Sequence, residues 1–452
     1  MLERLSAAMW GVPTLLLFLF SAVLFTVKTG FVQFTGIKET ARCFFGGADK
    51  KENSEVSAFQ SVCTSLAASI GTGNIIGVCV ALSVGGPGAV FWMCTGAVLG
   101  EAIGYAENYI GVLYREADMH GKWCGGAMYT LKNGLKTVFG ENVSRFCGIL
   151  YAVICTFSAL GMGNAVQINT AANALHSAFG VPLWGTGLLC SAVIAVCMYR
   201  GRGAIAKLTE KVVPLSCFVF FTACFAVLIK QRHALPGVFT QILVSAFGYK
   251  SIGIGFSVSM LRSSLLTGVR RGIFSNEAGL GTSVAVHACV DGVTPHEQGL
   301  RSIAEIFIDT VLMCTLTAVC VLSVPDAVAQ PPERMFVFAL ASLFGDAAGR
   351  IVCVCLFLFA FSTLVGWSFF GNESIRFVCG RKGERPFAVL YCVIAFAGSM
   401  LPFDFAWEFA DIVNAMLAIL NLSGLLLLSE KIENSKNRMH RGIVVDKLKK
   451  EY

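Results

Sequence analysis

The chain of 452 residues is 55% hydrophobic and only 14% charged, with a mean hydropathy of +0.70. A soluble domain of that size cannot hide so much apolar surface, which leaves an all-α polytopic membrane protein. The net charge of +7 is no nucleic-acid footprint, because Lys and Arg lie in short segments between apolar runs and in a tail, and the eighteen cysteines, scattered singly, read as small hydrophobes.

The first apolar run, Trp10 to Val27, has only Arg4 before it, whereas Lys28, Lys38, Arg42, Lys50 and Lys51 follow. That charge order predicts a retained helix with its N-terminus outside rather than a cleaved signal. Further helices are expected at 57–83, 87–114, 146–173, 183–199, 203–229, 252–290, 299–323, 347–378, 386–401 and 406–429, with a short amphipathic surface helix at 237–248. The total is eleven membrane helices. Alternate connections carry the positive charge: 28–56, 115–145, 200–211 and 376–385 hold five, five, four and four Lys/Arg, and the tail after Ser429 holds seven, whereas 291–298 in the same set holds none, with Arg301 just beyond. The opposite set holds none at 84–86, 174–182 and 402–405, three at 230–250 and two at 324–350. The positive-inside rule then sets the N-terminus outside and the C-terminus in the cytoplasm. Residues 1–429 form one transmembrane domain, and 430–452 a basic cytoplasmic tail.

Two of these runs contain residues unsuited to a helix in lipid. Ser69-Ile70-Gly71-Thr72-Gly73-Asn74-Ile75-Ile76-Gly77 interrupts the second, and Gly272-Ile273-Phe274-Ser275-Asn276-Glu277-Ala278-Gly279-Leu280-Gly281 the seventh. Glycine costs about 1 kcal/mol against alanine in a helix interior, and a break frees backbone groups that lipid cannot satisfy. Paired interruptions in corresponding halves of a chain point to the binding site of a transporter. With the extra helix at 10–27 set aside, the interruptions fall in members one and six of two sets of five, 57–229 and 252–429, the spacing of an inverted 5+5 repeat with two discontinuous helices.

A zwitterionic amino acid needs anion and cation recognition a few ångströms apart, and unwound backbone supplies both through free N–H groups and carbonyls. Gly71 and Gly73 let a ligand approach the chain closely, and close helix packing is the alternative. Asn276 can donate and accept; Glu277 either caps the second break or works in the cycle, and Glu101, Glu107, Glu305 and Asp309 carry the same two readings. Arg270 and Arg271 are expected to meet an acid or water rather than substrate. Gln167 and Asn169 are ligand contacts or interhelical hydrogen bonds. Ser362 and Thr363 offer adjacent hydroxyls to a hard cation, or bond back to carbonyls one turn earlier, and Trp367 is a pocket wall or an interface tryptophan. No enzyme is indicated. The six histidines lack metal spacing, His296-Glu297 lacks a second histidine, and neither a Gly-x-Ser-x-Gly elbow nor a Gly-Lys-Ser/Thr nucleotide loop occurs.

The run Gly71 to Val78, continued by Gly85-Gly86-Pro87-Gly88-Ala89-Val90-Phe91-Trp92-Met93, Ala106-Glu107 and Tyr114-Arg115, resembles the alanine or glycine:cation symporter family. The blocks Gly163-Asn164-Ala165-Val166-Gln167, Arg271 to Gly281 and Phe361-Ser362-Thr363-Leu364-Val365-Gly366-Trp367 agree. Glu101-Ala102-Ile103-Gly104 and Thr282-Ser283-Val284 depart from the family's usual residues. The resemblance implies the leucine-transporter-type fold and, in the plasma (inner) membrane, a sodium-coupled symporter of a small neutral amino acid, alanine or glycine. A proton-coupled or ion-independent exchanger on the same scaffold is the alternative. It implies no cofactor other than the co-transported sodium ion, with the bilayer and the amino acid as partners. The substrate-binding residues are then Thr72, Gly73, Asn74, Gln167, Phe274, Ser275, Asn276 and Trp367. Carried over from that fold, the sodium ligands are the carbonyls of Ala67 and Ile70, with Phe359, Ser362 and Thr363 on the facing helix.

Overall fold

A computed structural model of the chain describes residue 6 and residues 9–46, 55–247, 254–401 and 404–432. Among these, seven helices are long and apolar enough to cross a bilayer, and eight when the bent pair Ala58–Ser69 and Thr72–Gly85 counts as one span. The expected runs recur as helices with shifted ends, including Val12–Lys28, Gly88–Leu113, Leu183–Arg200, Arg202–Lys230, Asp346–Cys379, Glu384–Gly398 and Asp404–Leu427. The basic tail expected from 430 lies, beyond Ile432, outside the described residues.

Local signals explain where elements begin. Ser57 accepts from the Gln60 N–H while Gln60 Oε1 accepts from the Ser57 N–H, a capping box that starts the Ala58–Ser69 helix. Thr294 and Glu297 repeat the device before Pro295–Ile306. Two expectations need correction. The span expected at 146–173 belongs to a 44-residue helical stretch, Lys136–Phe179, interrupted near its start at Gly140, where φ is +78°. Its polar first turns, with Glu141, Asn142 and Arg145, hide it from an apolar-run search. The stretch 324–350, expected as a connection, contains the helix Pro332–Phe344, whose first-turn proline and Glu333 were a readable start signal.

The helix Leu235–Phe247 buries Val238, Ile242 and Ala246 along one face, and Gly88 N–H and Trp92 Nε1 donate to its Ser245 Oγ and Ala246 carbonyl. It thus covers the start of Gly88–Leu113. At one end of the Val12–Lys28 helix, Trp10 Nε1 donates to Asp411 O; at the other, Lys28 Nζ donates to Ser429 Oγ. The first helix therefore runs parallel to the last.

Leu183–Arg200 and Arg202–Lys230 are buried over only 28% of their most apolar stretch, against 72% within 346–398, so the former two face lipid and the latter is central. Two apolar clusters make the interior. Phe274 and Trp367 belong to one, Ile70, Ile75 and Phe359 to the other, and the helix breaks lie where the two meet.

Candidate substrate and ion site

The first helix unwinds where the sequence is least able to hold it. Ile70 and Gly71 are extended, Thr72–Asn74 make one tight turn, and the helix resumes at Ile76 after a bend of 60°. Asn74 braces this break. Its Oδ1 accepts from the Gly71 N–H at 3.0 Å, and its Nδ2 donates to the Asp309 carbonyl and to Asp309 Oδ1 at 2.8 and 2.9 Å. Thr317 Oγ1 donates to the Asn74 carbonyl at 2.8 Å.

The second interruption follows Ile254–Asn276. Glu277 takes a left-handed conformation, with φ +55°, before the short helix Val284–His287. Asn276 Oδ1 accepts from the Ala278 N–H at 3.0 Å, an Asx-type cap. Glu277 accepts from Thr282 Oγ1 at 2.6 Å and from Trp367 Nε1 at 3.0 Å. Its carboxylate is therefore engaged in holding the break, the first of the two readings open to it.

Ser275 Oγ donates to Asp309 Oδ2 at 2.9 Å, so the carboxylate that holds Asn74 also holds the second break. Asp309 is 1% exposed and sits in a π-helical stretch, Phe307–Cys314. A second such stretch, Gly161–Val166, delivers Gln167 to the same region. Both widened turns stand beside the breaks, as π-bulges often do at functional sites. Asp309 was one acid among several in the sequence. A lone carboxylate in an apolar run was the available signal, and its tie to both breaks was not legible.

The expected ion ligands come together. Thr363 Oγ1 lies 3.2 Å from the Ile70 carbonyl and 3.0 Å from the Phe359 carbonyl, and Ser362 Oγ donates to Phe359 O at 2.8 Å. Ala67 faces the same helix, because a Cβ on Gly366 would lie 3.1 Å from its carbonyl carbon. The hydroxyls do bond back along their own helix, and Thr363 in addition bridges to the first break. The donor set is oxygen throughout, without formal charge.

The expected substrate residues divide. Thr72 Oγ1 and Gln167 Oε1 are buried and have no hydrogen-bond partner, and Gln167 Oε1 would lie 3.4 Å from a Cβ on Gly71. Gly73 faces Phe274 and Ser275, with ordinary van der Waals space for a Cβ at 3.7 Å or more. Asn74 and Ser275, in contrast, are committed to Asp309. Trp367 is fully buried, with Gly163 against its ring and its N–H on Glu277. It stands behind the second break as a support. Asn164 and Asn169 donate to the carbonyls of Tyr391 and Leu401 at 2.7 Å, the interhelical reading. Arg270 pairs with Asp411, as expected for an arginine turned away from the site.

One end of the bundle is open and the other closed. A cavity of about 980 Å³ runs from Glu333, Arg334 and Asp346 down to Asn169, Thr170 and Ile76 beside the first break. At the far end Arg202 and Glu373, 6% and 1% exposed, form a bidentate pair, with Arg202 also donating to the Trp123 carbonyl at 3.1 Å. A two-residue hairpin, Glu116–Ala117 with Trp123–Cys124, covers them. Asp118 in its turn joins Arg376 and Arg381. Loss of water pushes that carboxyl up, but the N–H groups of Lys122 and His120 and the two guanidinium groups outweigh it and hold Asp118 well below the usual carboxylate range.

A helical bundle with two interrupted members side by side, tied through one buried carboxylate and flanked by unpartnered polar atoms, defines a membrane transporter of the leucine-transporter type. Residues 1–445 match the sodium:alanine symporter family. The chain belongs to that family. It is 35% identical over 435 residues to the sodium/alanine symporter AgcS of Methanococcus maripaludis, covering 95% of this chain and 94% of that one. It is 33% identical to a Bacillus subtilis protein named "Probable sodium/glutamine symporter GlnT", covering 94% and 87%. The crystal structure of MhsT in complex with L-phenylalanine superposes with a TM-score of 0.60 at 13% identity, over 84% of this chain and 89% of that one.

Proposed function

We propose that this chain couples sodium entry to uptake of a small neutral amino acid, alanine or glycine, by alternating access across the plasma (inner) membrane. The carrying observation is the pair of buried, unpartnered polar atoms at the first break, Thr72 Oγ1 on the residue after Gly71 and Gln167 Oε1 beside Gly71. Buried polar groups usually find partners, so two open ones beside a helix break leave room for water or a ligand there. A hydroxyl suits a carboxylate and an amide oxygen suits an ammonium, so the two fit the ends of an amino acid lying against Gly73, Phe274 and Asn276. Sodium fits among the carbonyls of Ala67, Ile70 and Phe359 and the hydroxyls of Ser362 and Thr363. The names of relatives diverge in substrate, and the family's name favours alanine. The chain folds as eleven membrane helices in two inverted sets of five plus the extra first helix, N-terminus outside and C-terminus inside. The loop charges and the parallel first and last helices support this. The large cavity then opens outward. A reporter cysteine after Glu430, on a cysteine-depleted background, that labels from outside would overturn it.

The deciding experiment is uptake of labelled amino acids by proteoliposomes, with sodium or choline outside at fixed pH. Uphill accumulation of alanine or glycine only with sodium supports the proposal, and equal uptake in choline overturns it. Two substitutions refine it. Gln167→Ala is expected to weaken amino acid binding about 5- to 150-fold, or roughly 1–3 kcal/mol, measured on the purified protein. Wild-type affinity would remove Gln167 from the site. Thr363→Ala is expected to raise the sodium half-saturation concentration while amino acid affinity at saturating sodium holds, and Thr363→Ser to be mild because the hydroxyl survives. An unchanged sodium requirement in Thr363→Ala would move the ion elsewhere.

A further inference from the structure

A second polar cluster lies away from the breaks, in the closed half of the molecule. His287, at the end of the short helix after the second break, is completely buried. Its Nδ1 lies 2.9 Å from Gln298 Oε1, and its Nε2 lies 3.1 and 3.0 Å from the two oxygens of Glu305. Ser65 Oγ, on the half-helix before the first break, donates to Glu305 at 2.7 Å. Ser65, Gln298 and Glu305 are 5% exposed or less. One cluster thus joins three elements: the half-helix Ala58–Ser69, the half-helix Val284–His287 and the helix Pro295–Ile306.

The hydrogen bonds around His287 do not close for a neutral ring. Both ring nitrogens face acceptors, and a neutral imidazole carries one N–H. Two arrangements close them. An imidazolium donates to both Gln298 and Glu305, and the buried pair carries no net charge. Alternatively the Gln298 amide turns over and donates to Nδ1, the neutral ring donates to Glu305, and one net negative charge remains. The turn is available because Gln298 Nε2 is buried without a partner in the first arrangement, and amide oxygen and nitrogen exchange places with little steric change.

We propose that His287, Glu305 and Gln298 form a proton-binding site that latches the two half-helices of the closed side together. With the proton bound, the cluster is neutral overall and every donor on His287 has an acceptor. Without it, a carboxylate stays buried with Ser65 and a neutral histidine. Among the described residues no Lys or Arg is ion-paired with Glu305. An uncompensated buried charge is strongly unfavourable, so loss of the proton favours separation of Ser65 from Glu305 and entry of water. Other ionisable groups lie on the elements packed against the cluster. They are Cys63 on the half-helix of Ser65, Glu210 on Arg202–Lys230, which accepts from Gln60 Nε2, and Glu101 and Tyr105 on Gly88–Leu113, where Tyr105 bonds to His296. On the cluster's own helix, Arg301 donates through Nε to the Cys43 carbonyl. The latch rests on the alternating-access reading above and adds a proton to its cycle.

The test keeps Cys63 as the sole cysteine, buried on the latched half-helix, in the full-length protein reconstituted in liposomes. Its maleimide labelling is followed from about pH 5 to pH 8. Glu305→Gln, which keeps a hydrogen-bonding side chain without the charge, removes the proton site, and labelling of the denatured protein at each pH controls for the thiol's own ionisation. Labelling with the intact cluster is expected to rise about tenfold beyond the rise in Glu305→Gln, as for a two-state element biased by one proton. Gln298→Glu, an acceptor that cannot turn into a donor while ionised, should move the rise to higher pH. Identical profiles with and without Glu305, or an unmoved rise in Gln298→Glu, overturn the latch. Labelling needs no substrate. Sodium-driven uptake with a flat labelling profile defeats the latch alone, whereas a pH-dependent profile with no sodium-driven uptake in any wild-type preparation defeats the transport reading and leaves the proton site standing.

Discussion

Gly71→Ala is expected to abolish sodium-driven uptake while the protein still folds and elutes normally. A Cβ at this position falls 2.5 Å from Thr363 Oγ1 and 3.4 Å from Gln167 Oε1, so the one added methyl presses on a proposed ion ligand and a proposed substrate ligand together. Overpacking of this kind costs roughly 1–3 kcal/mol, and here the displaced groups are the functional ones. Amino acid affinity should fall by about 5- to 150-fold, and the sodium half-saturation concentration should rise in parallel. Adding Thr363→Ala removes the clashing oxygen. The double variant should therefore regain amino acid affinity at high sodium without regaining normal sodium dependence, a departure from additivity that identifies the contact. Wild-type uptake in Gly71→Ala would show that the break moves freely away from Thr363.

The second large effect concerns the closed end. Arg202→Ala leaves Glu373 buried with no partner among the described ion pairs, and removing one member of a buried pair typically costs about 3–5 kcal/mol. Thermal unfolding of the purified protein should shift down sharply, with lower yield. Replacing both residues by apolar ones of similar size, Arg202→Met with Glu373→Leu, should recover much of the loss, because neither charge then remains in the interior. A single substitution as mild as the double one would mean that water reaches Glu373 in the folded protein.

What the sequence made legible followed local chemistry. Gly71-Thr72-Gly73-Asn74 announces a broken helix because its residues cannot sustain one in lipid, and the break stands where those residues lie. The capping pairs Ser57/Gln60 and Thr294/Glu297 act over a single turn and were equally readable. The Ile70–Thr363 bond spans 293 positions and was reached only by resemblance to a known family. Asp309 stood out only as one of several acids, because its ties to Asn74, 235 positions away, and to Ser275 across a helix pair leave no local trace in the sequence. The π-helical stretches leave no periodicity to read, since one residue inserted in a turn changes a helix face without changing composition. For Trp367, whose N–H meets Glu277, the sequence left pocket wall and interface tryptophan both open, because an aromatic beside a break looks the same in sequence whether it faces the ligand or backs the chain that holds it.

The close approach at Gly366 bears on how the first half-helix can travel. A Cβ there would lie 2.7 Å from the Ala68 nitrogen and 3.1 Å from the Ala67 carbonyl carbon, so Ala58–Ser69 rests on Asp346–Cys379 backbone against backbone. Such a seat resists sliding, because any translation along the helix drives side chains into the main chain, and it resists tilting toward its neighbour. Rolling about the seat remains. Gly366 is then the contact about which Ser65 on one side and Ile70 on the other would turn. A roll about that seat that carries Ser65 off Glu305 also turns Ile70, so the proposed latch and the proposed sodium site would shift together rather than one by one.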